Sequence, residues 1–276
     1  MKSNPVLLWY CDRINARVGA CLVGEMISWN LIDQFRTAKS KLVLLDYDGT
    51  LVPFESTPDK AKPTTHVESL LEKLNQRSQT QVIIITGRQF QSIDRFLGHL
   101  PITIIAEHGA MIKENGNWEP RLHLDNSWKD HVMVILKKWT LFCPNSFVEN
   151  KSFSISWHYR NADEFLGTSC AWLLQMEIKG MFTSKNFKII EGNKVVEIIP
   201  ANIGKGEATE YVLNRCPHDY ILSIGDDTSD EDMFRVLSAS EEYHTVKVGT
   251  GHTAAKHRVD HVEGVLWLLE TIANEV

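Results

Sequence analysis

Cysteine is scarce in this sequence, and its placement argues against the usual cysteine-based sites. The cysteines are odd in number, widely scattered and without any CxxC spacing, which favours neither a disulfide framework nor a zinc site. They are Cys11, Cys21, Cys143, Cys170 and Cys216. This usage is typical of a reducing compartment, and we expect the protein to be cytoplasmic.

Long hydrophobic runs and clustered basic residues are also missing. The stretch NPVLLWYC is apolar only until Asp12 and Arg13, which makes it too short for a signal-peptide core or a membrane span. The formal net charge is -6, and lysine and arginine are spread along the chain instead of forming a basic stripe. Nucleic acid and membrane are therefore not expected as partners.

The sequence does contain a regular alternation of strand-like and helix-like segments. Its 276 residues, 43% of them hydrophobic, are enough for a substantial core. Apolar runs such as KLVLLDY, QVIIITG and ITIIAEHG alternate with the amphipathic segments THVESLLEKLNQR and FQSIDRFLGHL. This pattern predicts an α/β fold, with a parallel sheet covered by helices on both faces.

The pattern changes after the polar, turn-rich stretch MIKENGNWEP. We predict a helix around Trp128 to Leu141, a half-exposed antiparallel strand in SFVENKSFSISWHYR and a helix near Ala162 to Lys179. The segments FKIIEG and KVVEIIP, joined at Gly192 and Asn193, predict a pair of strands. These elements indicate an α+β module inserted into the main domain.

The alternation of strands and helices returns in GKGEATEYVLNRC, DYILSIGDDTSDEDMF, YHTVKVG and VEGVLWLLETIANEV. We therefore expect residues 41–119 and 201–276 to form one core domain and residues 120–200 to form the inserted module. Residues 1–40 are predicted as an N-terminal extension without an assigned function. It could be a helix packing on the core or a remnant of a neighbouring domain.

Two carboxylates follow the first predicted strand, in LLDYDGT. Asp46 and Asp48 would lie at the carboxyl end of that strand, where open α/β sheets bind their ligands. A calcium loop is excluded because Thr50 and Val52 occupy the next ligand positions and no glutamate closes the loop. The motif alone fits either a simple turn or a catalytic pair.

Three further motifs also follow predicted strands. Thr86 in IIITGR offers a hydroxyl at a helix start, Lys205 in NIGKGEA stands between two glycines, and GDDTSDEDMF supplies Asp226 and Asp230. Each has a plainer alternative: a helix N-cap, a solvated lysine and an acidic first helical turn, respectively. Because all four motifs fall at strand ends, together they predict a site that handles phosphate.

The four motifs DYDGTL, TGR, GKGEA and GDDTSDEDMF resemble those of the haloacid dehalogenase (HAD) superfamily of phosphatases. More narrowly, DYDGTLVPF, AEHGA, VENKSFSISWHYR and GNKVVEI resemble the trehalose-6-phosphate phosphatase family, including the phosphatase domains fused to trehalose-phosphate synthases. The resemblance extends from Lys41 to the C-terminus. It implies a Rossmann-like HAD core with a parallel sheet, plus an inserted α+β cap of the C2 type.

The resemblance also implies catalytic roles. Asp46 would be the nucleophile, Asp48 the general acid and base, and Thr86 and Lys205 would hold the transferring phosphoryl group. The implied cofactor is Mg²⁺, because an anionic nucleophile needs a compensating charge to approach a phosphate. The implied metal-binding residues are Asp46, Asp48 through its backbone carbonyl, Asp226 and, nearby through water, Asp230.

The family pattern places substrate recognition mainly in the inserted module. The implied substrate-binding residues are Gly87, Arg88, His108, Glu149, Lys151, Arg160, Lys194 and Glu197. Of these, Glu149, Lys151 and Glu197 would contact the distal sugar, and Arg160 and Lys194 would approach the phosphate. Alternate charges could also mark only the solvated face of a sheet. His108 is expected to pack a loop or contact sugar and not to bind metal.

One departure from the family pattern is Ser229, which replaces the usual threonine but keeps a hydroxyl, so we expect little effect. The resulting hypothesis is a Mg²⁺-dependent phosphatase that converts trehalose 6-phosphate to trehalose through an aspartyl-phosphate. A mobile cap and association with a trehalose-phosphate synthase are also expected. The alternatives are a phosphatase for sucrose 6-phosphate or mannosyl-3-phosphoglycerate, and a regulatory domain without catalysis.

Overall fold

The computed structural model describes residues 29–181 and 186–274. The stretch NPVLLWYC, Cys11, Cys21 and most of the predicted N-terminal extension lie outside these ranges. The strands are β1 Lys41–Leu45, β2 Thr80–Ile85, β3 Thr103–Ala106, β4 Met111–Glu114, β5 Asn117–Pro120, β6 Phe147–Asn150, β7 Ile155–His158, β8 Phe187–Gly192, β9 Val195–Pro200, β10 Tyr220–Gly225, β11 Tyr243–Val248 and β12 His257–Val259. The helices are α1 Trp29–Thr37, α2 Thr65–Gln76, α3 Phe90–Leu97, α4 Lys129–Phe142, α5 Glu164–Met181, α6 Lys205–Leu213, α7 Asp230–Leu237 and α8 Val262–Asn274.

The larger of two sheets has the strand order β12-β11-β10-β1-β2-β3-β4-β5. Its first six strands are parallel, from β12 to β3. Successive residues of β1 alternate between the two faces: Val43 packs in the cluster formed with α1, α2, α3 and α8, whereas Leu44 packs in the cluster formed with α6 and α7. The apolar strands are therefore covered on both sides, as continuous hydrophobic runs require.

The stretch MIKENGNWEP forms a hairpin that extends this sheet. Strand β4 pairs antiparallel with β3, and β5 pairs antiparallel with β4. Asn115 and Gly116, between the two strands, have φ values of 50° and 82°. Two consecutive left-handed residues are the geometry of a tight hairpin turn, and Asn-Gly is the dipeptide that favours it.

The smaller sheet is antiparallel, with the order β6-β7-β9-β8. The prediction of a single strand in SFVENKSFSISWHYR was wrong, because the segment reverses after Asn150 and forms the β6–β7 hairpin. Residues on one face of the sheet, among them Trp157 and Ile198, pack against α4 and α5. The opposite face carries Ser156 and Glu197, which are paired across β7 and β9. That face points toward the larger sheet.

Helix α1 packs on the larger sheet, as one of the two alternatives for the N-terminal extension proposed. Leu31, Ile32 and Phe35 are buried in the cluster formed by β1, α2 and α8. The ring of Phe35 meets that of Tyr220 edge to face, with 5.4 Å between centroids. These contacts concern residues 29–37 and leave the rest of the predicted extension untested.

Candidate active site

The two aspartates of LLDYDGT flank a buried anchor. Between them, Tyr47 is fully buried and its hydroxyl donates to the carbonyl of Ala61 at 2.9 Å. The backbone N–H of Asp46 donates to Ile224 of β10, so the chain stays attached to the sheet as far as Asp46. The neighbours of an inward-pointing side chain point outward, and both Asp46 and Asp48 line one cavity at this strand end.

Lys205, the first residue of α6, connects two carboxylates beneath that cavity. Its ammonium group donates to Oδ1 of Asp46 at 2.6 Å and to Oδ1 of Asp230 at 2.7 Å. The lysine is only 3% exposed. Burial disfavours its charge, but the carboxylates of Asp230 and Asp46 raise its pKa above the usual value. The lysine therefore carries a permanent positive charge at this point of the site.

Three carboxylates lie close enough to share a cation. Ligand oxygens of Asp46, Asp226 and Asp230 all lie within 4.8 Å of one another. Burial raises the pKa values of Asp46 and Asp226, and repulsion between the carboxylates raises them further, although Lys205 acts in the opposite direction. Oδ1 of Asp226 is buried without a hydrogen-bond partner. This donor set fits a hard divalent cation, which would offset the repulsion and bind the unpaired oxygen.

Asp48 differs from these three carboxylates because its side chain pairs with Arg88. Nε and Nη2 of Arg88 donate to the two carboxylate oxygens of Asp48 at 2.6 and 2.7 Å. The guanidinium group lies against the stacked rings of Tyr47 and Phe96, 4.9 and 5.2 Å from their centroids. The predicted metal contact of Asp48 involves its backbone carbonyl and stays a prediction.

The TGR loop is packed tightly against the chain segment that follows β3. Oγ1 of Thr86 accepts the backbone N–H of Arg88 at 3.1 Å, and the carbonyl of Thr86 accepts the N–H of His108. A Cβ atom at Gly87 would lie 2.5 Å from Nε2 of His108. Only glycine leaves room for the imidazole at this position.

Glu197 of β9 is the centre of a buried polar network. Its carboxylate is paired with Nε2 of His108 at 2.7 Å, with the hydroxyl of Ser156 at 2.9 Å and with the ammonium group of Lys151. Burial acts in the opposite direction, but His108 and Lys151 hold the pKa of Glu197 well below its usual range. Lys151 also donates to the carbonyl of Gly87 at 2.8 Å, which connects the β6–β7 turn to the TGR loop.

The remaining predicted substrate residues occupy different positions. Glu149 lines the cavity and pairs with Nε2 of His158 at 2.8 Å. Arg160 also lines it, with its guanidinium carbon 4.5 Å from the ring centroid of Phe54. Lys194 is not among the residues that line the cavity and pairs with Glu164 of α5 at 2.9 Å.

A single cavity thus brings together residues from both sheets. The predicted residues that line it are Asp46, Asp48, Thr86, Gly87, Arg88, His108, Glu149, Lys151, Arg160, Glu197, Lys205 and Asp226. Asp230 lies just beneath it, fully buried, where its Oδ2 accepts the backbone N–H groups of Asp226 and Asp227. Except for Lys194, the predicted set therefore surrounds one cavity.

Sequence reasoning missed several contributors to the site. Phe54, Ser156, His158 and Asn193 line the cavity as well. Strand alternation could have found Ser156 and His158, because they occupy the same sheet face as Glu197 once the register of β7 and β9 is known. No local pattern marks Phe54, which follows the DYDGT motif in an irregular loop.

Glu107 was also missed, although it connects the larger sheet to the turn between β6 and β7. It is fully buried, and its Oε2 accepts the backbone N–H of Phe153, in the β6–β7 turn, at 2.8 Å. Burial raises the pKa of this carboxyl group. Glu107 and Lys151 therefore provide two separate connections between that turn and the larger sheet.

Comparison with known proteins gives a consistent result. The family model described as trehalose-phosphatase matches residues 44–263. The bifunctional trehalose-6-phosphate synthase/phosphatase of Thermoproteus tenax is 39% identical over 99% of this chain, which spans 39% of that protein's length.

Among the described residues, no helix is both long and apolar enough to cross a membrane.

Solved structures agree with this assignment. The C-terminal domain of the C. albicans trehalose-6-phosphate phosphatase matches with a TM-score of 0.84 and 27% identity, covering 92% of this chain and 99% of that one. A haloacid dehalogenase-like hydrolase from B. subtilis shares the fold at 14% identity, with a TM-score of 0.61 and coverage of 83% and 98%, respectively. The predicted α/β fold and family resemblance are confirmed, and the chain belongs to the trehalose-phosphatase family.

Proposed function

We propose that this chain is a Mg²⁺-dependent phosphatase that hydrolyses trehalose 6-phosphate to trehalose and inorganic phosphate. The observation that carries the proposal is the convergence of Asp46, Asp48, Asp226 and Lys205 on one cavity that extends to the polar face of the smaller sheet. One end of this cavity offers what a phosphoryl transfer needs, and the other offers hydrogen-bonding groups for a sugar.

In the first step, a carboxylate oxygen of Asp46 attacks phosphorus while the bond from phosphorus to the sugar oxygen breaks. Asp48 transfers its proton to that oxygen, so trehalose leaves as a neutral alcohol. An aspartyl-phosphate remains on Asp46. Lys205 is held beside Asp46 and offers positive charge to the phosphoryl oxygens, while Thr86 supplies a hydroxyl.

In the second step, water attacks the phosphorus of the aspartyl-phosphate and gives a proton to Asp48. The bond from phosphorus to the Asp46 oxygen breaks, which releases phosphate and restores both carboxyl groups. Asp46, Asp226 and Asp230 would hold Mg²⁺, which when bound offsets the negative charge of the nucleophile and the phosphate. Water supplies the only oxygen consumed, so the two steps sum to a hydrolysis.

Sugar recognition is proposed to involve the face of the smaller sheet that carries Glu149, Lys151 and Glu197. Buried charged groups with fixed partners suit hydroxyl recognition because their remaining donors and acceptors are held in one orientation. Arg160 lies near the phosphate end of the cavity, where Coulomb interactions with Asp48 and Asp226 act on it. Lys194 would have to leave Glu164 to reach a ligand. We therefore assign it a role in substrate binding only after the smaller sheet and its helices have moved.

We also propose that residues 41–119 and 201–276 form the core domain and residues 120–200 a mobile cap, with residues 1–40 as a separate extension. The β6–β7 turn is held to the core by Lys151 and Glu107, contacts that would break on opening. A cytoplasmic location is supported by the free thiols of Cys143, Cys170 and Cys216. Association with a trehalose-phosphate synthase is proposed from the bifunctional relative.

The test is phosphate release by purified protein across a panel of sugar phosphates, with and without Mg²⁺. We expect turnover of trehalose 6-phosphate that needs Mg²⁺ and is lost in Asp46→Asn. Asp59→Asn is the matched control, because Asp59 is an exposed aspartate that pairs with Arg95. Equal activity of wild type and Asp46→Asn would refute the mechanism.

The same panel separates the alternatives. Preferred turnover of sucrose 6-phosphate or mannosyl-3-phosphoglycerate would indicate a related sugar phosphatase. Binding of trehalose 6-phosphate without turnover of any substrate would indicate a regulatory domain. The presence of Asp46, Asp48, Lys205 and Asp226 favours the enzyme, because a domain that has lost catalysis has no need for all four.

A further inference from the structure

Exposed apolar side chains are concentrated on one pair of helices. In the ranges that the structure describes, ten large hydrophobic side chains are exposed, and all except Leu122 belong to α4 or α5. They are Val134, Leu141, Phe142, Phe165, Leu166, Trp172, Leu173, Met176 and Met181. Single exposed hydrophobic residues are ordinary, but a concentration of this kind marks an interaction surface.

The two helices present these side chains side by side. Lys138 of α4 pairs with Glu177 of α5, and Cys143, directly after α4, lies beside Cys170 of α5. A higher number on α4 thus meets a lower number on α5, so the helices run antiparallel. We call their outward surface the α4–α5 face, and define it by the nine side chains above.

The spacing along α5 explains why the face is continuous. Phe165, Trp172 and Met176 are separated by seven and four residues, which places them on one side of an α-helix. Leu174 and Ile178 point to the other side and are fully buried against the smaller sheet. The apolar residues of the α4–α5 face are therefore a second stripe, beyond the one used for the core.

The exposed area is large enough for a stable interface. Leu141 is 84% exposed, Phe165 83% and Trp172 59%. Aromatic side chains present roughly 150–250 Å² each and aliphatic ones somewhat less, so the face exposes on the order of 800 Å². Each partner in a standard interface contributes about 800 Å². Few monomers leave that much apolar surface in contact with water.

The charges at the ends of α5 fit a second copy of the same helix. Glu164 lies in its first turn and Lys179 in its last turn, while Trp172 lies near its middle. If two copies of α5 cross antiparallel near Trp172, Glu164 of each copy approaches Lys179 of the other; Glu164 pairs with Lys194 of its own chain through Oε1, but its side chain is 87% exposed and its Oε2 is left for this second pair. Lys138, near the centre of the face, is already paired with Glu177 and adds no unpaired charge there.

We propose that two copies of this chain associate through the α4–α5 face, about a two-fold axis near Trp172. The same patch then serves both subunits, as a two-fold interface requires, and four antiparallel helices pack together. The helices cover the face of the smaller sheet that is opposite to Ser156 and Glu197. Dimerisation would therefore leave both cavities accessible and join the two molecules through their proposed caps.

Sedimentation equilibrium over a range of concentrations tests the proposal and is independent of any activity. We expect a mass twice the 31.5 kDa of the chain. Trp172→Glu should raise the dimer dissociation constant at least 100-fold, because it places a charge at the centre of the buried face. Leu122→Glu is the matched control: it makes the same kind of change at an exposed apolar residue outside the face and should leave the dimer intact.

The antiparallel arrangement is tested by exchanging charges. Lys179→Glu should weaken the dimer, because the new carboxylate is repelled by Glu164 of the other copy. The double variant Lys179→Glu, Glu164→Lys should associate again. A wild-type protein that keeps the mass of one chain at every concentration would overturn the proposal. It would also be overturned if association required lipid vesicles or a synthase domain, or if Leu122→Glu dissociated the dimer as strongly as Trp172→Glu.

Discussion

Arg88 holds both carboxylate oxygens of Asp48, with Nε and Nη2 donating at 2.6 and 2.7 Å. Such a two-point contact fixes both the position and the rotation of the carboxylate. Both carboxylate oxygens accept hydrogen bonds in this pair, whereas a proton donor must carry a proton on one of them. The proposed reaction therefore requires the pair to loosen while Asp48 carries the proton, and to form again once Asp48 has transferred that proton to the leaving group.

The first prediction concerns Arg88→Met, which keeps much of the packing against Tyr47 and removes the two hydrogen bonds. We expect kcat for trehalose 6-phosphate to fall about 100-fold, because a misplaced Asp48 transfers its proton poorly. For the release of p-nitrophenol in the first turnover of p-nitrophenyl phosphate the loss should be much smaller, because this leaving group departs without a proton and Asp48 is needed only later, when water attacks the aspartyl-phosphate. Arg95→Met is the control, because Arg95 lies in α3, shortly after Arg88 in the sequence, and pairs with exposed Asp59. Equal losses in kcat for trehalose 6-phosphate and in the first-turnover release of p-nitrophenol would contradict the assigned role.

The second prediction concerns recognition by Glu197. We expect Glu197→Gln to raise the KM for trehalose 6-phosphate at least 10-fold while changing p-nitrophenyl phosphate hydrolysis little, since the aryl ester does not need the sugar-binding groups. The variant should also unfold more easily, because Lys151 and His108 lose a buried partner, a loss that costs about 3 kcal/mol or more when one charge is left uncompensated.

Steady-state kinetics with both substrates, together with a denaturant titration, checks this prediction. Glu191→Gln is the matched control: Glu191 is an exposed glutamate on β8, next to β9, and its carboxylate accepts a hydrogen bond from Gln175. A variant of Glu197 that lost both activities to the same extent would indicate damage to the fold and not to sugar recognition.

The third prediction uses two glycines that share the same positive φ angle. Gly49 and Gly116 both have φ of 82°, so alanine is strained by a similar amount at each position. A Cβ atom at Gly49 would lie 2.5 Å from Oδ2 of Asp226, whereas nothing lies within 4 Å of one at Gly116. We expect Gly49→Ala to raise the Mg²⁺ concentration needed for half-maximal activity at least 10-fold.

Gly116→Ala should lower the free energy of unfolding by about 1 kcal/mol and leave the Mg²⁺ requirement unchanged. Titration of activity with Mg²⁺ and a thermal melt of each variant separate the two effects. If both alanine variants shifted the Mg²⁺ requirement equally, the crowding between Gly49 and Asp226 would have no functional meaning.

Much of the site could be predicted from the sequence because its residues follow strands of one parallel sheet. Asp46, Thr86 and Asp226 each come directly after an apolar run, and the carboxyl ends of parallel strands meet at one edge. Once the α/β pattern was recognised, these three side chains could therefore be expected at the same edge of the sheet. The pairing of Arg88 with Asp48 could not be predicted in this way, because it depends on side-chain conformation within that edge.

The hairpin in SFVENKSFSISWHYR illustrates a different limit. Its turn residues, 151–154, contain no glycine, proline or asparagine, and their two serines are only a weak signal for a chain reversal. Alternation continues through both strands and resembles one longer strand. By contrast, Asn115 and Gly116 form a recognisable hairpin signal, and the β4–β5 pair could have been predicted from it.

The last prediction concerns stability at mildly acidic pH and rests on His244 of β11. The imidazole is 4% exposed, and its Nε2 lies 2.6 Å from Oε1 of Gln34 in α1. Its Nδ1 lies 3.3 Å from Nε2 of His257, and its ring is 5.1 Å from that of Tyr220. Burial lowers the pKa of His244 to about 4, with further contributions from His257 and Lys256.

Because the folded pKa is depressed, the unfolded chain takes up a proton at this residue below about pH 6.5 while the folded protein does not until about pH 4. The contribution of neutral His244 to the free energy of unfolding is therefore fully present above pH 6.5. It decreases as the pH falls, by up to about 3 kcal/mol at pH 4. His244→Phe should remove this part of the pH dependence. It should also lower the free energy of unfolding at neutral pH, because the hydrogen bond to Gln34 is lost. Urea titrations between pH 4 and 7 measure both effects, and exposed His252→Phe should keep the wild-type slope. A His244→Phe profile parallel to that of the wild type would show that the imidazole is not kept neutral by the fold.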